Sequence, residues 1–265
     1  MMRAELDVGT VLLQWATGGL LAGWVTTRHR VVGTGYGWLV RGSFLVLALG
    51  GVAAGVADDD SGPGSTVRDG AGLAMAVLVA VALVVSIVRR RAPVDDRTRG
   101  FPPVLDFFPP IAGFVALLGA ADAAGGSYEL DAVRLVVGAV FLGVVTDAML
   151  LGHWYLVQPG LGREPIKELV RLVAMVWPLE VAVWLLPTGM AAVIGGRVDD
   201  GYDGLLGWTW VVSALTTVGL ALVARRALRE PYYSAVMATT GLLYLAILTA
   251  FGTDVLARAV LAPSH

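Results

Sequence analysis

The chain has no cysteine, one lysine (Lys167) and three histidines among 265 residues, and only 15% of its residues are charged. Without thiols there are no disulfides, no thiolate zinc sites, no cysteine-ligated iron–sulfur clusters and no covalently attached c-type haem. Any redox chemistry therefore needs a bound cofactor. Walker loops, dinucleotide glycine fingerprints, zinc-protease His-Glu patterns and nucleophile elbows are also missing.

Apolar residues fill the space that charge leaves. They make up 57% of the chain, and the mean hydropathy is +0.74, a profile foreign to a water-soluble globule of this length. The apolar residues fall in runs of about 18 to 25, each long enough to cross a hydrocarbon core of about 30 Å as a helix. No alternating ten-residue pattern suggests a membrane barrel. The expected fold is an all-α, polytopic integral membrane helix bundle in one domain. Eight transmembrane helices are expected, near residues 8–27, 36–57, 70–88, 108–124, 130–157, 168–194, 204–225 and 231–260.

Charge is sorted by turn. The turns between predicted helices 1–2, 3–4, 5–6 and 7–8, with the adjoining helix ends, hold fourteen of the basic residues, including Arg28, Arg30, Arg41, Arg89, Arg90, Arg91, Arg97, Arg99, Arg163 and Lys167. The other side holds five: Arg3, Arg68, Arg134, Arg197 and Arg258. The excess of positive charge inside places both termini on the outer side of a prokaryotic cytoplasmic membrane. Acids Glu5 and Asp7 precede helix 1 where a secretory signal carries positive charge, so helix 1 reads as a retained span. The acid-rich turns Asp58 to Asp60, Glu129 to Asp131 and Asp199 to Asp203 fall on the outer side. The inner arginines follow from topology and anionic lipid, without nucleic acid.

Candidate chemistry centres on the hairpin from Leu130 to Gly195. Counted from a turn centred near Arg163 and Glu164, Asp147 and Glu180 fall at matching depth inside the hydrocarbon. An ionised carboxylate there costs about 2.5 to 3.5 kcal/mol on insertion scales, so both need a partner, a proton or a use. Trp177, Glu180 and Trp184 share one helical face, and Pro178 and Pro187 interrupt that helix, opening space beside the acid. Nearer the inner side, His153, Tyr155 and Gln158 come level with Lys167 and Arg171.

By analogy rather than motif, this pattern predicts a membrane subunit of a respiratory or redox assembly that docks a quinone and receives electrons from a partner protein. His153, Tyr155, Gln158 and Arg171 would hold the headgroup, Trp177 and Trp184 would wall it, and Asp147 and Glu180 would relay protons. A proton-coupled secondary transporter uses the same buried acids beside a proline-broken helix, and a structural membrane anchor needs them only as helix–helix glue. A single b-type haem between His29 and His153 is disfavoured, because His29 lies between two arginines at a helix end. Asp254 and Arg258, four residues apart, read as an ion pair at the outer end.

Overall fold

The computed structural model describes residues 7–58, 62–91, 101–187 and 189–261. The expectations for Arg3, Glu5, Asp59, Asp60, Arg97 and Arg99 lie outside those residues. Among the described residues there are helices and no strands: α1 (Val8–Thr27), α2 (Thr34–Ala57), α3 (Pro63–Arg91), α4 (Phe108–Ala123), α5 (Tyr128–Val157), α6 (Glu164–Leu185), α7 (Gly189–Ile194), α8 (Leu205–Ala227) and α9 (Tyr233–Leu261), with a 3-10 turn at Pro103–Asp106 ahead of α4. Seven of these, every one except α6 and α7, are long and apolar enough to cross a membrane, α4 being counted with its leading turn. The chain is thus a multi-pass helical membrane bundle. Every 18-residue stretch of α6 includes Glu168, Arg171 and Glu180, which separates it from the other long helices.

Of the differences from the sequence reading, three have a local reason. The predicted helix 168–194 is two helices, because α6 stops at Leu185 and a cis Leu186–Pro187 bond precedes α7. Pro178, by contrast, is carried inside α6. Helix α3 begins at Pro63, seven residues earlier than predicted, since a proline suits the first helical position, where its missing N–H has no partner to lose. The span predicted at 108–124 is led by the 3-10 turn, and turn and helix together give a 21-residue span.

Helices α1 and α5 form the centre. Their most apolar stretches are 61% and 72% buried, against 28–50% in the other five spans. The two cross backbone to backbone. A Cβ on Gly18 would run into the Ala139 carbonyl, and one on Gly143 would run into the backbone of Gly18. Gly19 and Gly23, spaced four apart, serve a different neighbour: they receive Phe44 and Val40 of α2. Small residues allow such approach where apolar side chains gain nothing by leaving lipid for one another. The outward faces carry Val46, Leu78, Val84, Val212, Leu215, Leu245 and Leu248, all exposed, as expected of a surface solvated by lipid.

The two ends of the bundle are chemically distinct. At one, the starts of α1, α3 and α5 meet the ends of α2, α4 and α9 around a cavity lined by Asp7, Asp58, Arg68, Ala123, Asp131 and Arg258 among others. At the other, the turns are tied together. Arg28 pairs with Glu168 at 2.6 Å, Gly33 donates to Gln158, and Arg163 donates to the carbonyls of Glu230 and Pro231. The α5–α6 and α8–α9 turns, both of which contain Arg-Glu-Pro in the sequence, are thereby joined.

Candidate functional site

Asp147 lies on α5 with no exposed surface. Its two oxygens accept hydrogen bonds from Thr26 on α1 and Tyr36 on α2, each at 2.5 Å. Both donors are themselves buried. The carboxyl thus faces α1 and α2 and stitches three helices together near the end that holds the α1–α2 turn.

Glu180 is equally buried, yet its surroundings differ. One oxygen accepts from the indole N–H of Trp184 at 2.7 Å, one helical turn along α6. The other, Oε2, has no hydrogen-bond partner among the described residues. Its charged neighbours are Asp254 and Arg258 of α9. Asp147 and Glu180 therefore belong to separate networks, and they are not at equal depth. The turn between α5 and α6 occupies residues 158–163, so Asp147 lies ten residues before the end of α5 while Glu180 lies sixteen beyond the start of α6. At about 1.5 Å per residue these are about 15 Å and about 24 Å along the two helices. Placing the centre of the turn inside a continuous helical count hid that offset.

Around Glu180 a polar cluster gathers from four helices. Arg258 donates to both oxygens of Asp254 at 2.8 and 3.1 Å, and also to Gln14 Oε1 at 2.9 Å. Gln14, itself fully buried, donates to the Leu135 carbonyl, linking α1, α5 and α9. Arg134 of α5 donates to the carbonyls of Val183 and Leu186 at 3.1 and 3.0 Å. These acceptors sit where α6 ends, so Arg134 holds the broken helix in place. The guanidinium carbons of Arg134 and Arg258 lie 4.9 and 5.4 Å from the Trp184 ring centroid, within cation–π range. The ion pair predicted between Asp254 and Arg258 is present, with Asp254 fully buried.

This cluster backs onto a cavity of about 420 Å³, lined by Asp131, Arg134, Trp184 and Arg258 on one side and by Asp7, Asp58 and Arg68 on the other. A second cavity, about 350 Å³, opens at the opposite end between α1, α2, α3 and the 3-10 turn, with Arg41 and Asp106 in its wall. Arg41 and Asp106 form a two-pronged ion pair, Nε to Oδ1 at 2.7 Å and Nη2 to Oδ2 at 2.6 Å. The Phe101 ring stacks 3.9 Å from the guanidinium.

The remaining sequence-predicted residues are dispersed. His153 is exposed and touches Tyr244 of α9, Nδ1 to hydroxyl 3.3 Å. Tyr155 is buried, donating to the Gly162 carbonyl at 2.6 Å, so it closes the α5–α6 turn. Gln158 Oε1 accepts from Gly33 N–H and Trp154 Nε1. Arg171 is exposed on α6. Trp177 donates to the Ala214 carbonyl of α8 at 2.8 Å, away from Glu180. His29 is exposed and accepts from its neighbour Arg28. Of the predicted set, the structure brings together Glu180 and Trp184.

Residues to which the sequence reading gave no part in the site complete both networks: Thr26 and Tyr36 for Asp147, and Gln14 and Arg134 in the cluster around Glu180. One signal for such groups was available. Arg41 stands seven residues inside an apolar helix, where a lone guanidinium demands an acid, and Asp106 is the acid just ahead of α4. No family model, curated protein or solved structure matches the chain, so the reading of the site rests on this geometry.

Proposed function

We propose that the protein is a proton-linked carrier of small solutes, in which Glu180 takes up and releases the coupled proton. The observation that carries this reading is the Glu180 carboxyl: no exposed surface, one oxygen held by Trp184 and the other unpartnered among the described residues. Leaving an ionised carboxylate in that state is costly, and a proton removes the charge. The indole that grips it also lines the cavity together with Arg134 and Arg258, so a solute entering there meets groups that touch the acid. Binding and proton occupancy are then linked through one side chain. Breaking α6 at Leu186–Pro187, beside Trp184, leaves backbone carbonyls for Arg134, in the way discontinuous helices serve carriers.

Quinone docking asks for one headgroup site shared by His153, Tyr155, Gln158 and Arg171, whereas Tyr155 is engaged by the carbonyl of Gly162 in its own turn and Gln158 by the N–H of Gly33 in the α1–α2 turn. The carrier reading uses groups that share a cavity. In it the chain crosses the cytoplasmic membrane of a prokaryote eight times, α6 joining the seven apolar spans as the sixth pass, with the arginine-rich turns inside and the cavity open to the outside.

The test is reconstitution in liposomes loaded with a pH-sensitive dye. A panel of sugars, amines, carboxylates and amino acids is added under an imposed proton gradient. Solute-dependent proton entry is expected, and Glu180→Gln should abolish the coupling. Unchanged proton-linked flux in that variant removes Glu180 from the role, and flux with no member of the panel removes the carrier reading.

A further inference from the structure

Two buried side-chain atoms are left without a hydrogen-bond partner among the described residues: Glu180 Oε2 and the indole Nε1 of Trp210 on α8. The packing of the helices sets them at one level. Trp177 donates to the Ala214 carbonyl. From that contact Glu180 lies three residues further along α6, and Trp210 lies four residues back along the antiparallel α8. These are about 4.5 Å and about 6 Å in the same direction. Helix α9 gives the same answer. A Cβ on Gly252 would meet Ser213, which brings Trp210 level with Asp254 and Val255, and Asp254 is a charged neighbour of Glu180. The Trp210 side chain is buried in one apolar cluster with Trp184 of α6, Val193 of α7 and Ala257 of α9. It therefore lies in the junction that also contains the acid.

Whether these two atoms suit each other depends on the proton. Trp184 occupies Oε1, so in the neutral acid the hydrogen belongs on Oε2. An indole N–H can only donate, and beside a second donor it gains little. Once the proton has gone, Oε2 is a bare acceptor sharing the negative charge, and a donor at its level becomes the partner it needs. The charged groups nearby are committed elsewhere. From α9, Arg258 is bound to Asp254 and Gln14, and Asp254 repels a second carboxylate. From α5, Arg134 donates to the Val183 and Leu186 carbonyls and pairs with Asp131. Helix α7 has no ionisable side chain, and α8 has none between Leu205 and Ala224. Trp210 is the buried donor that remains.

We infer that Trp210 is a positioning residue for the proton site: when Glu180 gives its proton to water, the Trp210 N–H takes up Oε2, and the carboxylate is held between an indole of α6 and an indole of α8. Loss of the proton thus creates a bond between two helices that the protonated form lacks. The inference rests on the carrier reading for its purpose, but its test needs no transport. The full chain in liposomes is titrated with acid and base while its carboxylic-acid C=O bands are followed by infrared spectroscopy. The Glu180 band is the one missing from Glu180→Gln. Trp210→Phe keeps the ring but removes the donor that serves only the ionised form, so Glu180 should bind its proton at least tenfold more tightly. That factor corresponds to about 1.4 kcal/mol, close to the low end of what a hydrogen bond to a charged group contributes. Trp177→Phe, which removes an N–H bound to the Ala214 carbonyl instead, should leave the titration unmoved.

If Trp210→Phe does not fold, the parent protein decides. Its ultraviolet resonance Raman spectrum should show one indole losing its free N–H signature as the Glu180 band disappears, with no such change in Glu180→Gln. An unmoved titration in Trp210→Phe, an equal shift in Trp177→Phe, or an indole signal indifferent to the Glu180 band would each overturn the inference, and none of these touches the carrier reading. A tenfold shift confined to Trp210→Phe, in a protein that shows no proton-linked flux, would uphold the inference while removing the carrier reading. A Glu180 band that does not titrate in the folded protein would overturn both.

Discussion

Severing the Arg41–Asp106 pair should unfold one end of the bundle, and the geometry sets the size of the effect. The side chains are 5% and 10% exposed, with two charge-assisted bonds of 2.6 and 2.7 Å between them. In Arg41→Met, the carboxylate of Asp106 retains among the described residues only a 3.4 Å contact from Thr27. An uncompensated buried charge of this kind costs about 3 to 5 kcal/mol, whereas replacing both partners with apolar groups is often neutral. Arg41→Met and Asp106→Leu alone should therefore each destabilise by about 3 kcal/mol or more. The double variant should return to within about 1 to 2 kcal/mol of the parent, giving a coupling energy well above the ~1 kcal/mol ceiling of exposed pairs. Equilibrium unfolding in mixed micelles, followed by tryptophan fluorescence, closes the cycle. Single substitutions that each cost under about 1 kcal/mol and simply add would show that water screens the pair and that the reasoning is wrong.

Other consequences are equally open to measurement. Tyr36→Phe removes one charge-assisted bond from Asp147 and should lower stability by about 1.5 to 3 kcal/mol, read in the same unfolding assay; a cost near zero would mean that Asp147 is not held as described. Gly143→Val puts side-chain atoms into the backbone of α1 at Gly18 and should cost at least the ~1 to 3 kcal/mol of overpacking, visible as lost monodispersity on size exclusion, while Gly160→Val, with open space around it, should be silent. In the loop before α8, desolvation raises the pKa of Asp200, but hydrogen bonds from the backbone N–H groups of Gly207, Gly204 and Tyr202 together outweigh it and hold the carboxyl below the usual aspartate range. Because the folded value is the depressed one, its contribution is complete above the unfolded value of about 3.9 and is lost as pH falls through the lower folded value. Hydrogen exchange at Gly204 and Gly207, corrected for intrinsic rates, should show constant protection from pH 7 to about 4.5 and a decline only below about 4; Asp200→Asn should remove the protection at every pH.

Much of the architecture can be read directly from the chain, since lipid demands long uncharged runs and the arginine clusters mark their ends. The bounds of α1 and the far end of α2 at Ala57 agree with the apolar pattern. What composition misses is backbone-level. Nothing in the hydropathy of Leu185 to Ile194 separates Pro187, beside which a helix ends, from Pro178, nine residues earlier and tolerated inside one. The candidate site was legible in half. Buried acids draw attention because their cost is high, so Asp147 and Glu180 stand out from any reading. Their partners do not, because Thr26, Tyr36 and Gln14 are cheap to place in apolar sequence and are chosen by which faces α1 and α2 turn toward α5. Arg134 was counted for topology, and its role depends on a helix break that only the fold displays.

The glycine seam between α1 and α5 also constrains how this molecule can move. Two main chains in direct contact have no side chains to repack, so sliding or tilting one against the other would collide peptide with peptide. The central pair behaves as a single fixed post. Freedom to repack is left to the surrounding hairpins, whose contacts are made by side chains, as in α9, where Arg258 reaches Gln14 of α1.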